Sequence, residues 1–247
     1  MERKSLSLLA IFFTISLTLT PLAAGYSSDV IIGSTIEWRV EVAPNDAFNM
    51  YYSEAGFWVA ENGSSMTFSI QSIGEDIVGR LTIGNISVIA NDTEIAKDLT
   101  LGVWGTPTEW WPGLIVDVGQ ESMEILNETA YASAERVSGN YLNGTMTSRY
   151  ENISVDNTLI ECIVFDYEQD STGFGEPQMT HLAYSLTNGV LIEARTSYSF
   201  GVPYNLEISI MSPEPITDDG WIILYPVILL GILLVVLVVA YMVSHRR

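Results

Sequence analysis

The chain has 247 residues, 48 % of them hydrophobic, a mean hydropathy of +0.26 and a formal net charge of −20. Between Gly25 and Gly220 it carries 29 Asp and Glu against six Lys and Arg, a net of −23. So acidic a segment repels nucleic acid, which is excluded as a partner, and anionic headgroups as well.

The acidity has two readings: a solubility or high-salt device, or a means of gathering cations and cationic partners. No Asp-x-[Asp/Asn]-x-[Asp/Asn]-Gly calcium loop is present, and neither a metal site nor a cofactor is expected. One cysteine, Cys162, precludes an internal disulfide. It lies in Leu159-Ile160-Glu161-Cys162-Ile163-Val164-Phe165, apolar on both faces, so a buried, inert thiol is expected.

In chain order, the basic start Met1-Glu2-Arg3-Lys4, the apolar run Leu6 to Leu19 and the small residues Ala23-Ala24-Gly25 read as a secretory signal peptide over 1–25. An acidic, β-rich extracellular domain follows over 26–211. Ile36, Trp38, Val40 and Val42 alternate with polar residues, the period of a half-buried strand. Met66, Phe68 and Ile70 repeat the pattern, as do Leu81 with Ile83 and Ile86 with Val88, with a bulge or turn at Gly84-Asn85. Phe48 to Trp58 is rich in aromatics and has no clear period.

Leu99 to Gly119 is irregular and holds Trp104, Trp110 and Trp111. These form either an aromatic lip over an apolar ligand or interface, or a loop that plugs the sheet with its own aromatics. One helix is predicted from about Glu121 to Val137, with Met123, Leu126, Ala130, Ala134 and Val137 on one stripe. Strands resume at Asn143 to Val155, Leu159 to Glu168, Met179 to Leu186, Val190 to Phe200 and Tyr204 to Ile210. Asn188-Gly189 predicts a type I′ hairpin, with a bulge if Leu182 and Tyr184 are to face inward.

A Pro-rich acidic linker is read over 212–220, a transmembrane helix over 221–243 and a cytoplasmic tail over 244–247. Ile222 to Val243 is free of charge, and at about 1.5 Å per residue it spans a hydrocarbon core of about 30 Å. Trp221, Tyr225 and Tyr241 mark the membrane interfaces. Arg246 and Arg247 set the tail inside and the N-terminus outside.

Acceptor sequons stand at Asn62, Asn85, Asn91, Asn127, Asn143 and Asn152, six where the chain's 12 Asn give roughly two by chance. Asn127 is anomalous because it falls near the apolar stripe of the predicted helix. Catalysis leaves little trace. His181, the only histidine before the span, alternates with Ala183 on a strand and reads as structural. No nucleophile, zinc, phosphate-loop or dinucleotide motif is present.

This layout, with Gly33-Ser34-Thr35-Ile36-Glu37-Trp38 opening the ectodomain and a late hairpin at Tyr184 to Leu191, resembles the uncharacterised single-pass surface proteins of archaea, the choice-of-anchor type found in Asgard lineages. The resemblance implies display at the cell surface and supplies no catalytic residues.

The expected fold is mainly β: an antiparallel β-sandwich or curved half-barrel of roughly ten strands with one packed amphipathic helix. The expected function is a membrane-anchored surface glycoprotein serving as a binding or structural module, its partners the bilayer through the C-terminal helix and surface-layer or other surface proteins. One alternative is a carrier of lipid or another apolar ligand with a Trp-lined mouth. The other is an extracellular hydrolase, which requires a cleft where His181 or two carboxylates converge.

Overall fold

The computed structural model describes residues 25–105, 108–135, 143–171, 175–198 and 204–212. The expected signal peptide (save Gly25), the linker beyond Ser212, the spanning helix, the tail and the interface residues Trp221, Tyr225, Tyr241, Arg246 and Arg247 lie outside them. Among the described residues no helix is long and apolar enough to cross a membrane.

In chain order the elements are β1 (Thr35–Val42), β2 (Phe48–Met50), β3 (Gly56–Trp58), β4 (Ser65–Ile73), β5 (Ile77–Ile83), β6 (Ile86–Asn91), α1 (Asp92–Asp98), α2 (Gln120–Ala134), β7 (Gly144–Val155), β8 (Thr158–Gln169), β9 (Met179–Ser185), β10 (Leu191–Ser197) and β11 (Asn205–Ile210). Nine strands form one sheet in the order β6-β5-β4-β1-β11-β10-β9-β8-β7. Every neighbouring pair in it is antiparallel. β2 and β3 form a separate hairpin. The protein is therefore mainly β, with a large antiparallel sheet and few helices.

The alternation read from the sequence sets the two faces. Ile36, Trp38 and Val40 of β1 share a face with Met66, Phe68 and Ile70 of β4 and with Leu206, Ile208 and Ile210 of β11, all buried. Thr35, Glu37 and Arg39 of β1 take the other face, beside Ser69, Thr67 and Ser65. A period of two allows this division on every strand. Each large side chain buried on the inner face contributes about 1.5–3 kcal/mol.

That inner face is closed by the chain itself. Leu99, Leu101, Val103, Leu114 and Ile115 of the long connection after α1 are buried on it. Backbone groups fix the connection there. The Thr180 hydroxyl donates to Gly102 O at 2.7 Å and the Tyr184 hydroxyl to Gly113 O at 2.8 Å. Leu191 N–H donates to Leu114 O, and Val116 N–H to Gly189 O, each at 2.9 Å. α2 packs beside this connection against β7, burying Ala130, Ser133 and Ala134.

Two details depart from the sequence reading, the extra helix and the turn type, and two fill in what it left open. A second helix, α1, is present. Its signal was the capping string Asn91-Asp92-Thr93-Glu94: Asn91 Oδ1 accepts from Glu94 N–H at 2.7 Å. Seven residues are too few to show a helical period. The aromatic-rich stretch becomes the β2–β3 hairpin. Strand β10 carries the bulge that inward-facing Leu182 and Tyr184 require, since pairing steps from Tyr184↔Leu191 to Ala183↔Glu193. The hairpin before β10 is a longer turn than type I′: Ser185 N–H donates to Val190 O, and the one left-handed residue is Gly189 at φ 75°. A Cβ at Gly189 would meet Val116 O at 1.9 Å, so this turn is shaped by the connection lying on it.

Candidate functional site

Exposed aromatics gather at one end of the sheet. The β2–β3 hairpin displays Tyr51 (75 % exposed) and Tyr52 at its tip, Phe57 (65 % exposed) on β3, and Val59 just past its root. Tyr51 and Tyr52 meet edge to face at 5.8 Å between centroids, and Lys97 Nζ lies 5.4 Å from the Tyr52 ring. The hairpin root is anchored by Phe48, which stacks on Tyr204 at 4.4 Å, and by buried Trp58.

A buried carboxylate shapes the tip. Asp98, at the end of α1, accepts from Tyr52 N–H and Ser53 N–H at 2.8 Å each and from the Ser53 hydroxyl at 2.6 Å. Glu54 then turns in the left-handed region at φ 56°. Replacing Asp98 with alanine strands these donors, and the expected loss is on the order of 3 kcal/mol. Urea denaturation measures the loss, and amide exchange should localise the loosening to residues 51–54.

The outer face carries a charged ladder across β7, β8, β9 and β10. His181 Nδ1 sits 2.6 Å from Asp166 Oδ1 and its Nε2 3.1 Å from Glu193 Oε1. Arg149 binds both Asp166 and Glu151, and Arg195 Nε is 3.0 Å from Glu207 Oε1. Both ring nitrogens of His181 thus face carboxylates and neither faces a nucleophile. Glu193 and then Asp166 raise the His181 pKa against the lowering effect of burial. Bonding to His181 lowers Glu193; for Asp166 burial is the largest single effect, but Arg149 and His181 together lower it.

The signs fix a pH window. The lowered carboxylates contribute stability above their unfolded values of 3.8 and 4.5, and the raised histidine below its unfolded value of 6.5. The ladder therefore contributes fully between about pH 4.5 and 6.5 and fades on either side. Urea midpoints for His181→Gln should fall below the parent at pH 5.5 and approach it at pH 9, with salt shrinking the gap because the pairs are half exposed.

A second ionisable cluster is centred on a buried carboxylate. Asp92 is 1 % exposed, and its Oδ2 accepts from Leu114 N–H at 3.2 Å and Ile115 N–H at 3.3 Å. Its Oδ1 has no hydrogen-bond partner among the described residues, and the Asp76 carboxyl, which accepts from Thr93 Oγ1 at 3.0 Å, lies beside the Asp92 side chain. Burial first, and Asp76 second, push the Asp92 pKa well above the usual carboxylate range. A carboxyl held neutral in this way can donate through the oxygen that otherwise has no partner. The same carboxylates and burial raise the neighbouring Tyr26.

The three tryptophans part company. Trp110 is buried, its ring edge-on to Phe165 at 5.0 Å. Trp104 stacks on Tyr198 at 5.0 Å and 9°. Trp111 is half-buried, its indole N–H 3.3 Å from Glu109 Oε2. Trp110 and Trp111, with Tyr26, Ile115, Ile125 and Leu126, line an open cavity of about 300 Å³ between the connection and α2. Cys162 is fully buried, and its thiol is pushed up to about 12 by burial and by Glu193 and Glu151. Among the described residues no group of three His, Cys, Asp or Glu is arranged to hold a metal ion.

The sequons fall on the rim. Asn62, Asn85 and Asn152 are exposed; Asn91, Asn127 and Asn143 are half-buried. The Asn127 Oδ1 accepts from the Ser148 hydroxyl at 2.6 Å, between α2 and β7. Asn127 is half-buried against β7, and the expected result of glycopeptide mass spectrometry is a bare Asn127. Sequence reasoning missed the aromatic tip and the Asp76–Asp92 pair. The tip had a visible signal in Tyr51-Tyr52 and Phe57-Trp58; the pair had none, because its members are 16 positions apart.

The geometry defines an acidic, mainly β protein with a large antiparallel sheet, an aromatic end and an inner face covered by its own connection. No family model, curated protein or solved structure matches the chain.

Proposed function

We propose that this chain is a cell-surface glycoprotein of the single-pass archaeal type, held by the helix over 221–243 with its N-terminus outside, and that its β domain is a binding or structural module whose working surface is the aromatic end. The fold reading that goes with this is a curved half-barrel clasping its own connection and α2, in preference to a sandwich. One observation carries the functional reading. Tyr51, Tyr52, Phe57 and Val59 stand at the end of the sheet where β11 begins, whereas the described chain enters at Gly25 and leaves at Ser212 at the other end. These exposed apolar side chains, gathered at one end of the described sheet, offer a partner in the surface coat a contact surface. Surface aromatics held by a fixed backbone lose little entropy on binding, which suits a recognition patch.

Two measurements test this. On intact cells, external protease should release the domain while the C-terminal helix stays in carbonate-washed membranes; a carbonate-soluble chain sinks the anchor. The triple variant Tyr51→Ser, Tyr52→Ser, Phe57→Ser should keep its melting temperature and lose cross-links to neighbouring coat components. Unchanged cross-links sink the assignment of the working surface.

A second reading has its own support in the cavity beside Trp110 and Trp111. At about 300 Å³ it is at the lower end for ligand sites and suits one short acyl or aromatic group. Because the concave face is otherwise filled by buried side chains, the volume does not suit a whole lipid. Quenching of tryptophan emission by a medium-chain fatty acid, absent in Leu126→Trp, supports this reading; no quenching removes it.

A further inference from the structure

The nine-stranded sheet has two open edges, β6 and β7. An open edge offers unpaired N–H and C=O groups to any second strand, so natural sheets guard their edges. Part of β7 is guarded by the fold. Ser148 N–H points away from β8 and donates to the Tyr131 hydroxyl of α2 at 3.0 Å. By the two-residue period, the N–H groups of Tyr150, Asn152 and Ser154 point the same way, and no helix residue covers them among the described contacts. Tyr150 there is 71 % exposed.

The sequons coincide with these edges. Asn85 precedes β6 and Asn91 ends it; Asn143 precedes β7 and Asn152 lies within its uncovered stretch. Among the described residues, none of the seven interior strands carries a sequon. A branched sugar on an edge strand fills the space in which a second strand would lie, about 4.8 Å away.

We propose that glycans at Asn85, Asn91, Asn143 and Asn152 are edge guards, and that without those on β7 two copies of this chain pair β7 to β7 as antiparallel strands. This rests on the glycoprotein reading above. The antiparallel pair is self-complementary about a two-fold axis, so it closes as a dimer. On β6 the exposed Ile89 is the corresponding liability.

The test uses the full chain in detergent, made in a glycosylating host, alongside Thr145→Ala with Ser154→Ala, which removes both β7 sequons while keeping the asparagines. Both substituted side chains are exposed. Ser64→Ala, which removes the Asn62 sequon away from the edges, is the control. Glycopeptide mass spectrometry reads occupancy, light scattering reads protein mass, and amide exchange reads β7. The expected result is occupied Asn143 and Asn152 in a monomeric parent, a monomeric control, and a double variant of twice the mass with at least tenfold slower exchange at Tyr150, Asn152 and Ser154. A monomeric double variant, or a dimer whose β7 amides exchange as in the parent, overturns the proposal and leaves the glycoprotein reading standing. Bare Asn143 and Asn152 in a monomeric parent overturn the proposal, and a parent bare at all six sequons overturns the glycoprotein reading with it.

Discussion

Replacing Trp110 with alanine is expected to lower stability by about 3–5 kcal/mol, the range for removing a buried aromatic whose space does not fully collapse. At about 2–4 °C per kcal/mol for a domain of this size, the melting temperature falls by roughly 6–20 °C. The reason lies in what Trp110 holds. Its ring packs edge-on to Phe165 of β8, and its backbone pairs with Val103 in both directions at 2.9 Å. That pairing folds the connection so that Leu101, Val103, Leu114 and Ile115 reach the inner face together. A smaller side chain leaves a void continuous with the cavity already beside it. The variant should therefore also bind a small apolar dye more strongly than the parent does. Calorimetry and dye fluorescence check the two effects, and a loss below 1 kcal/mol would show that the connection is not part of the core.

Asp92→Asn is expected to stabilise the protein at pH 8 and to flatten its pH dependence. In the folded state the Asp92 pKa is raised by burial and by Asp76. The folded chain thus holds a proton that the unfolded chain releases above its ordinary value of 3.8. Stability is fully present below that value and is lost as pH rises toward the folded pKa. The amide of Asp92→Asn imitates the protonated acid: its oxygen accepts from Leu114 and Ile115, and its NH2 donates to Asp76, with nothing to titrate. The substitution keeps Thr93, and with it the Asn91 sequon. Asp92→Ala behaves oppositely. It strands two buried N–H groups at about 1–3 kcal/mol each and destabilises at every pH. Melting curves from pH 4 to 9 separate the cases; a parent whose stability rises across that range, once the His181 ladder is removed, would contradict the proton held by Asp92.

Both effects sit where sequence pattern is weakest. Strands such as β1 were legible because one face meets water and the other meets core, which imposes a period of two on Ile36, Trp38 and Val40. α2 was legible because Met123, Leu126, Ala130 and Ala134 recur at helical spacing. The connection over 99–118 carries no period. Its backbone bonds go to residues far along the chain, such as Gly102 with Thr180 and Gly113 with Tyr184. Local sequence holds no record of such partners.

By itself, then, the sequence determined the strand faces, the long helix, the acidity, the sequons and the uncharged stretch toward the C-terminus, because each is a local or compositional property. The tertiary structure decided which strands are edges, that the tryptophan-bearing connection covers the inner face of the sheet, that Asp98 fixes an exposed aromatic tip, and that buried Asp92 meets half-buried Asp76. Those outcomes depend on pairing order and burial, and pairing order is set by contacts between residues tens to more than a hundred positions apart, as between Trp38 and Leu191.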